Sequence, residues 1–196
     1  MLYNLFRFIF FVIFKLLFRY EVRGRENIPK SGGFILASNH VSYLDPIAVG
    51  IGTSRRLSYL GRHDLFSNPF FSLALYKAGV VPIKRKSADL AALKEAMRRV
   101  KRGLGLVIFP EGTRGAGLKE VQPGIGFLAA KLNVPVVPVF VRGTEKALPK
   151  ASKFIKPVKI SVFFGRQISI ERRTPYPDIA QKIMDSIRRL SCESNN

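Results

Sequence analysis

Residues 34–46 read FILASNHVSYLDP, a short apolar run that passes directly into polar and titratable side chains. The run at residues 34–37 follows Ser-Gly-Gly at 31–33, and its length and composition predict a buried β-strand. In α/β proteins, reactive groups lie where such a strand ends and opens toward a helix. Residues 39–46 are therefore the first candidates for chemistry.

Further apolar runs resemble the first one, and each predicts another strand. They occupy residues 57–60, 80–83, 106–109, 136–141 and 158–164. The segment 20–29 is polar and predicts irregular structure, with room for one more strand.

Helical patterns lie between these runs. The clearest begins after Ser87 as N-cap and ends at Gly103. Its apolar face consists of Leu90, Leu93, Met97 and Val100. Two other candidates cover residues 123–132 and 178–190. Strands that alternate with helices predict an α/β fold with a largely parallel or mixed sheet flanked by helices.

The N-terminal segment, residues 1–20, is apolar, and its few polar side chains share one side. On a helix, Asn4, Arg7, Lys15 and Arg19 fall on a stripe about 120° wide. Such a helix can lie in a membrane interface, with basic groups toward the headgroups and its aromatic face among the acyl chains. The residues predicted to contact the membrane are Phe6, Arg7, Phe10, Phe11, Phe14, Lys15, Phe18 and Arg19.

Three other interpretations of this segment compete. A cleaved signal peptide is disfavoured because no small-residue cleavage site follows. A spanning helix rises only about 28 Å, and Arg7 and Lys15 would each cost up to about 3 kcal/mol at mid-bilayer. A helix buried in the protein would have to accommodate the charged stripe. We predict a hydrophobic membrane-associating helix over residues 1–20 that inserts in the plane or in one leaflet.

The chain carries 33 Lys and Arg against 13 Asp and Glu, a formal net charge of +20. This charge attracts polyanions, which means nucleic acid, anionic lipid headgroups or phosphorylated substrates. The N-terminal helix favours an anionic lipid membrane as the partner. The single cysteine, Cys192, excludes an intrachain disulfide and favours a reducing, cytosolic compartment. With two histidines besides it, we expect no zinc site of the Cys/His type and no other metal.

His40 and Asp45 are the first pair with chemical potential. Histidine is the usual general base near neutral pH, and an aspartate can orient its ring. On a regular helix this spacing separates the two side chains by about 140°, so they can meet only if the segment is a turn. Pro46 favours a turn because it disfavours helical geometry at Asp45. A surface histidine beside a helix-capping aspartate is an equally open alternative.

The second candidate is residues 109–115, FPEGTRG, which follow the predicted strand at 106–109. A glycine-flanked loop lets backbone amides approach a phosphate, and Arg114 can bind one through two hydrogen bonds. An ordinary strand-to-helix loop is the alternative.

These two segments and two others resemble the glycerolipid acyltransferase family that includes the 1-acylglycerol-3-phosphate acyltransferases. The family signature begins with His and Asp separated by four residues, here within NHVSYLD at 39–45. It continues with blocks that match, in family order, GVVPIKR at 79–85, FPEGTR at 109–114 and VPVVPV at 134–139. The chain departs from the family at 62–66, where Arg stands for an expected Lys, and at Gln122, which puts fine substrate preference in doubt.

The resemblance implies roles for particular residues. His40 would be the catalytic base with Asp45 as its partner. The substrate phosphate would be bound by Arg85, Glu111, Gly112, Thr113 and Arg114. Backbone amides near Gly112 or the His40 turn are candidates for stabilising the oxyanion. Residues 21–196 would form the acyltransferase catalytic domain.

The resemblance also implies an activity. A fatty acyl group would move from a thioester, acyl-CoA or acyl carrier protein, to the sn-2 hydroxyl of 1-acylglycerol 3-phosphate, making phosphatidic acid without a cofactor. Glycerol 3-phosphate or another lysophospholipid is the alternative acceptor. We expect localisation at a membrane, on the cytoplasmic face, which would be the inner or plasma membrane in a bacterium.

Rival functions have weaker support. The Gly-x-Ser-x-Gly elbow of serine hydrolases is absent, and Ser42 is too close to His40 to be assigned as nucleophile. A metal hydrolase could use His40, Asp45, His63 and Asp64 as ligands, but the spacing of these four residues is not typical of a metal site. Residues 124–129 mimic a dinucleotide fingerprint but fit a helix start with close packing better. A nucleic-acid-binding protein would suit the charge, but no binding motif is present, and we expect no nucleic-acid partner.

Overall fold

A computed structural model describes residues 2–84, 89–112, 124–149, 152, 154–171 and 173–194. Within these ranges the helices are α1 Leu2–Phe18, α2 Asp45–Ile51, α3 Pro69–Lys77, α4 Leu90–Lys101, α5 Gly124–Leu132, α6 Thr144–Ala147 and α7 Tyr176–Glu193. The strands are β1 Glu21–Arg23, β2 Phe34–Ser38, β3 Leu57–Arg62, β4 Val80–Ile83, β5 Gly105–Ile108, β6 Val136–Arg142 and β7 Ser161–Phe164. Short 3-10 turns lie at Arg25–Asn27 and His63–Phe66.

The strands of the described chain form one 7-stranded sheet in the order β1-β7-β6-β2-β5-β3-β4. Neighbouring strands are parallel except β6 and β7, which are antiparallel. The predicted α/β fold with a largely parallel, mixed sheet is therefore confirmed. Each predicted apolar run overlaps a strand, and the predicted bounds of β4 agree with the structure. The segment 20–29 holds β1.

The two faces of the sheet carry separate cores. Because side chains alternate along a strand, Phe34 and Leu36 of β2 point into one core, and Ile35 and Ala37 point into the other. The first core includes residues from α1 and α2, and the second includes residues from α4, α5 and α7. The connections from β2 to β3 and from β3 to β4 both advance across the sheet toward the β4 edge. Because crossovers between parallel strands are right-handed, α2 and α3 lie on the same face of the sheet.

Helix α4 begins slightly later than the prediction. Its N-cap is Asp89, whose side chain accepts a hydrogen bond from Ala92 N at 3.0 Å. The predicted cap, Ser87, lies outside the described residues, and the capping role belongs to Asp89. The predicted end is confirmed, because Gly103 follows the last helical turn with φ +90°.

Helix α1 packs against α2 with one face, and this corrects part of the membrane prediction. Phe14 and Phe18 are each 2 % exposed and belong to the core, so they do not face a membrane. Arg7 lies on the same side of the helix, and its Nη1 donates to the carbonyl oxygen of Thr53 at 2.6 Å. Phe11 is half-buried against the same core. The sequence located the basic stripe, but Arg7, one of its three basic residues, is turned toward the protein.

The opposite face of α1 is exposed and almost wholly apolar. Its large exposed side chains are Leu5, Phe6, Phe8, Ile9, Phe10, Val12, Ile13, Leu16 and Leu17. Lys15 and Arg19 are also exposed, as predicted for two of the basic residues. In the described part of the chain, no helix combines the length and apolar character needed to cross a membrane. The division of the chain at residue 20 stays a prediction.

Candidate active site

The carboxyl ends of three adjacent strands bring the sequence motifs together. Strands β6, β2 and β5 are neighbours in the sheet. The segments that follow them, 143–144, 39–45 and 109–112, therefore meet at one edge, which is where parallel sheets build sites. Asn39 ties two of the ends together: its side-chain amide donates to Val141 O at 2.9 Å and accepts from Val141 N at 2.8 Å.

His40 and Asp45 are in direct contact. Nδ1 of His40 lies 3.0 Å from Oδ2 of Asp45, and the same oxygen accepts from the backbone N–H groups of Val41 at 2.7 Å and Ser42 at 2.8 Å. The prediction that a turn brings the pair together is confirmed. Asp45 is nevertheless the first residue of α2, contrary to the effect expected of Pro46. Proline fits there because the first turn of a helix needs no backbone donor.

Thr144 completes the surroundings of Asp45. Its Oγ1 donates to Oδ1 of Asp45 at 2.5 Å, and both residues are fully buried. Gly143 makes this contact feasible, because its φ of +94° turns the chain sharply from β6 into α6. A Cβ at Gly143 would lie 2.0 Å from the carbonyl oxygen of Lys159. Thr144 is not among the residues predicted from the sequence, although a Gly-Thr pair directly after a predicted strand is a signal for it.

The His40 ring is held on two sides and is mostly shielded from water. Its side chain is 13 % exposed and stacks on Phe109, with ring centroids 4.1 Å apart and planes 24° apart. The backbone N–H of His40 donates to Oε1 of Glu111 at 3.2 Å. Because a carboxylate only accepts hydrogen bonds, Nδ1 carries the proton toward Asp45, and Nε2 keeps its lone pair. Nε2 is therefore the ring nitrogen that is able to accept a proton.

The amides named as oxyanion candidates are engaged within the protein. Gly112 N donates to Phe109 O at 3.0 Å, and His40 N donates to Glu111. The amides of Val41 and Ser42 are directed at Asp45. In this arrangement none of these four amides points at an external oxyanion. Residues 113 and 114 lie outside the described residues, so a role for amides near Gly112 stays a prediction.

Two of the five predicted phosphate-binding residues, Glu111 and Gly112, belong to the described part of the chain. Arg85, Thr113 and Arg114 lie outside the described residues. Glu111 is 4 % exposed and lies beside His40, and Gly112 follows it with φ +65°. A cavity of about 290 Å³ adjoins Glu111 and Asn39. The phosphate-binding role of these residues stays a prediction.

The candidates for a metal site do not assemble. His63 and Asp64 lie in the 3-10 turn after β3, and Asp64 pairs with Arg62. Over the described ranges there is no cluster of three or more His, Cys, Asp or Glu side chains able to hold a metal ion. Residues 124–129, whose sequence resembles a dinucleotide-binding fingerprint, form a closely packed helix start, as expected, because α5 begins at Gly124.

A family model described as Acyltransferase matches residues 19–142, more than half of the chain. The chain belongs to the acyltransferase family. The match includes the four blocks, 39–45, 79–85, 109–114 and 134–139, on which the resemblance was based, and confirms it. His40 and Asp45 lie within the matched residues, and Thr144 follows two positions after their end.

Individual acyltransferases are similar over most of this chain. The chloroplastic 1-acyl-sn-glycerol-3-phosphate acyltransferase BAT2 of Brassica napus is 34 % identical over 184 residues, covering 91 % of this chain and 52 % of the relative. The 1-acyl-sn-glycerol-3-phosphate acyltransferase of Bacillus subtilis strain 168 is 29 % identical over 149 residues, 76 % of this chain and 73 % of the relative. The chain thus spans about half the length of the Brassica protein.

A solved structure has the same fold. The crystal structure of the 1-acyl-sn-glycerophosphate (LPA) acyltransferase PlsC from Thermotoga maritima superimposes with a TM-score of 0.81. The alignment covers 99 % of this chain and 80 % of that one, at 24 % identity. At this identity the likeness concerns the fold.

Proposed function

We propose that this chain transfers a fatty acyl group from a thioester to the sn-2 hydroxyl of a 1-acylglycerol 3-phosphate, producing phosphatidic acid. The observation that carries the proposal is the contact between His40 and the buried Asp45, with Nδ1 and Oδ2 3.0 Å apart and Nε2 as the remaining basic nitrogen. The choice of acceptor is supported by the names of the relatives, several of which are 1-acyl-sn-glycerol-3-phosphate acyltransferases.

The chemistry is a direct transfer. Nε2 of His40 removes the proton from the acceptor hydroxyl while that oxygen attacks the thioester carbonyl. The C–S bond then breaks, and the leaving thiolate takes the proton back from the imidazolium. Asp45 orients the ring and stabilises its charged form, and general base help of this kind is worth about 10²–10⁴-fold in rate. Each atom and proton is accounted for without a cofactor.

In this proposal, Arg85 and Arg114 bind the acceptor phosphate. These roles come from the family motifs that contain both residues, since guanidinium groups bind phosphate through paired hydrogen bonds. Holding the phosphate presents the hydroxyl to His40 in one orientation, which lowers the entropic part of the barrier.

The reaction takes place at an anionic membrane surface. The exposed apolar face of α1 supports this, since Leu16 is 78 % and Phe8 is 64 % exposed. Helix α3, on the same face of the sheet as α2, adds Phe70 at 87 % exposure. The net charge of +20 attracts anionic headgroups, at about 1 kcal/mol for each basic residue near the surface. We place the protein on the cytoplasmic face of its membrane.

The test incubates purified protein with labelled acyl-CoA or acyl carrier protein thioester and a panel of acceptors, and identifies the lipid formed. The panel contains 1-acylglycerol 3-phosphate, glycerol 3-phosphate and other lysophospholipids, so it also decides between the acceptor alternatives. Phosphatidic acid is the expected product.

Two histidine variants assign the base. His40→Ala should abolish turnover while the protein stays folded. His63→Ala, which replaces the chain's other histidine, should be as active as the wild type. Near-normal turnover by His40→Ala would remove this residue from the chemistry.

A further inference from the structure

Asp45 begins helix α2, and the other end of this helix contacts the N-terminal segment. The last carbonyl groups of any helix lack partners within the helix and must find them elsewhere. Here donors from the N-terminal segment reach the two residues that directly follow the last helical residue, Ile51. Arg25 Nε donates to Gly52 O at 2.9 Å, and Arg7 Nη1 donates to Thr53 O at 2.6 Å.

Tyr20 adds a third donor to the same helix. Its hydroxyl donates to Ala48 O at 2.6 Å, and the residue is fully buried. Burial raises the pKa of Tyr20 well above its ordinary value, so the hydroxyl keeps its proton and remains a donor. Three donors from residues 7–25 thus hold α2 and the two residues that follow it, and the two guanidinium groups also suit the negative end of the helix dipole.

The fit between these donors and α2 is close. A Cβ at Gly52 would lie 3.0 Å from the Tyr20 hydroxyl and 3.1 Å from the ring of Phe164. A Cβ at Gly50 would lie 2.4 Å from the hydroxyl of Tyr59. The helix therefore has little room to shift without losing these contacts.

Helix α2 is short enough to transmit a shift from one end to the other. Its seven residues span only about 10 Å, and Asp45 is the first of them. Asp45 must keep its distance of 3.0 Å to His40 Nδ1. A misplacement of about 1 Å in a catalytic group can cost about 100-fold in rate.

We infer that Arg7, Tyr20 and Arg25 are positioning residues for the His40–Asp45 pair, and that the N-terminal segment sets catalytic geometry whether or not it also contacts a membrane. The inference rests on the proposed role of His40. Helix α1 thereby gains a second role, because a surface that displaces α1 would also shift Asp45 through Thr53 and α2.

The experiment separates positioning from membrane binding by using water-soluble substrates without vesicles. The probes are hexanoyl-CoA and 1-hexanoylglycerol 3-phosphate below its micellar concentration, with kcat and KM measured separately. Tyr20→Phe removes one hydroxyl, and Arg7→Met removes one guanidinium with little loss of volume. Each should lower kcat by about tenfold with KM changed less than about twofold. Arg7→Lys should recover part of the loss because it keeps a charged donor.

Matched controls carry the same chemical changes elsewhere. Tyr176→Phe and Arg98→Met alter half-exposed or exposed side chains on the other face of the sheet and should leave kcat unchanged. An NMR readout follows the Nδ1 proton of His40, assigned by comparison with His63→Ala. This resonance should move in Tyr20→Phe and stay in place in Tyr176→Phe.

The outcomes distinguish this inference from the proposed function. Full soluble-substrate kcat and an unmoved Nδ1 resonance in Tyr20→Phe, with His40→Ala inactive, would overturn the inference alone. A loss of activity seen only with vesicles would overturn it too, since the N-terminal segment would then act only through the membrane. An active His40→Ala would instead overturn the proposed function. Tyr20→Phe is the deciding variant because it removes a single atom, and its fold is checked by thermal unfolding.

Discussion

The hydroxyl of Thr144 donates to Oδ1 of Asp45 at 2.5 Å, and neither residue is exposed to solvent. The other carboxylate oxygen, Oδ2, is directed at His40 and two backbone amides. Because both oxygens are engaged, the carboxylate cannot rotate without losing hydrogen bonds. The orientation of the His40 ring is therefore set from the start of α6 as well as from α2.

Replacing Thr144 by Val keeps the shape of the side chain and removes its donor. We expect kcat to fall by about tenfold with KM little changed, because Asp45 loses a fixed orientation. The free energy of unfolding should fall by about 1–3 kcal/mol, since a buried carboxylate oxygen loses its partner. Steady-state kinetics and denaturant unfolding measure the two effects. Thr144→Ser, which keeps the hydroxyl, is the control, and a Val variant with wild-type kcat would contradict the prediction.

Asp89 links stability to pH through the start of α4. Its carboxylate accepts from Ala92 N and Lys84 N, each at 3.0 Å. The hydrogen bond from Ala92, followed by that from Lys84, holds the pKa of Asp89 below its ordinary value. A lowered pKa in the folded state stabilises the protein above the unfolded pKa, and this stabilisation is lost as the pH falls through the folded pKa.

We therefore expect Asp89→Ala to lower the Tm at neutral pH, and the difference from wild type to shrink as the pH falls to about 3. Thermal unfolding across this range provides the measurement. Asp89→Asn caps a helix without a charge, so its Tm should approach that of the wild type at the acidic end. A deficit in the Ala variant that stays constant with pH would show that the carboxylate charge contributes nothing.

Most of the sheet was readable from the sequence because strands covered on both faces are continuous apolar runs. Burial also explains why helix α2 could not be predicted from the sequence. Five of its seven residues are buried, so it shows no polar side at helical spacing. Helix α3 was missed because its exposed surface is apolar, as Phe70 and Leu73 show, and gives no amphipathic contrast.

The site was only partly predictable, because local spacing reports some contacts and not others. His40 and Asp45 are five positions apart, so their meeting followed from a single turn. Thr144 is 99 positions from Asp45, and their contact depends on β6 lying beside β2. The orientation of α1 was hidden for another reason. Phenylalanine is buried equally well by protein and by lipid, so the sequence alone could not separate Phe14 from Phe8.

The two faces of α1 should respond differently to mutation. Ile9 and Ile13 are 42 % and 39 % exposed, and replacing both by Ser should weaken binding to vesicles of neutral and anionic phospholipid at least about tenfold. The Tm should hardly change. Phe14→Ala should instead cost about 3–5 kcal/mol of stability, because Phe14 is buried. Vesicle sedimentation and denaturant unfolding give the two readouts, and undiminished sedimentation of the double Ser variant would refute the membrane role of this face.

Two glycines in the first turn of α5 provide a test of how closely this helix packs on α7. A Cβ at Gly126 would lie 1.9 Å from the backbone carbonyl oxygen of Tyr176, at the start of α7. A backbone atom cannot turn aside as a flexible side chain can, so Gly126→Ala must push the two helices apart. The expected loss is about 1–3 kcal/mol in the free energy of unfolding.

Gly124→Ala is the matched control in the same helix. Apart from its chain neighbours and the backbone of its own helix, no atom of the described residues lies within 4 Å of a Cβ at Gly124. The substitution should therefore be neutral, or stabilising by up to about 1 kcal/mol, because Ala favours the helix over Gly. Denaturant unfolding of both variants measures the difference between them. Equal stabilities of the two variants would contradict the close approach of α5 and α7 at Gly126.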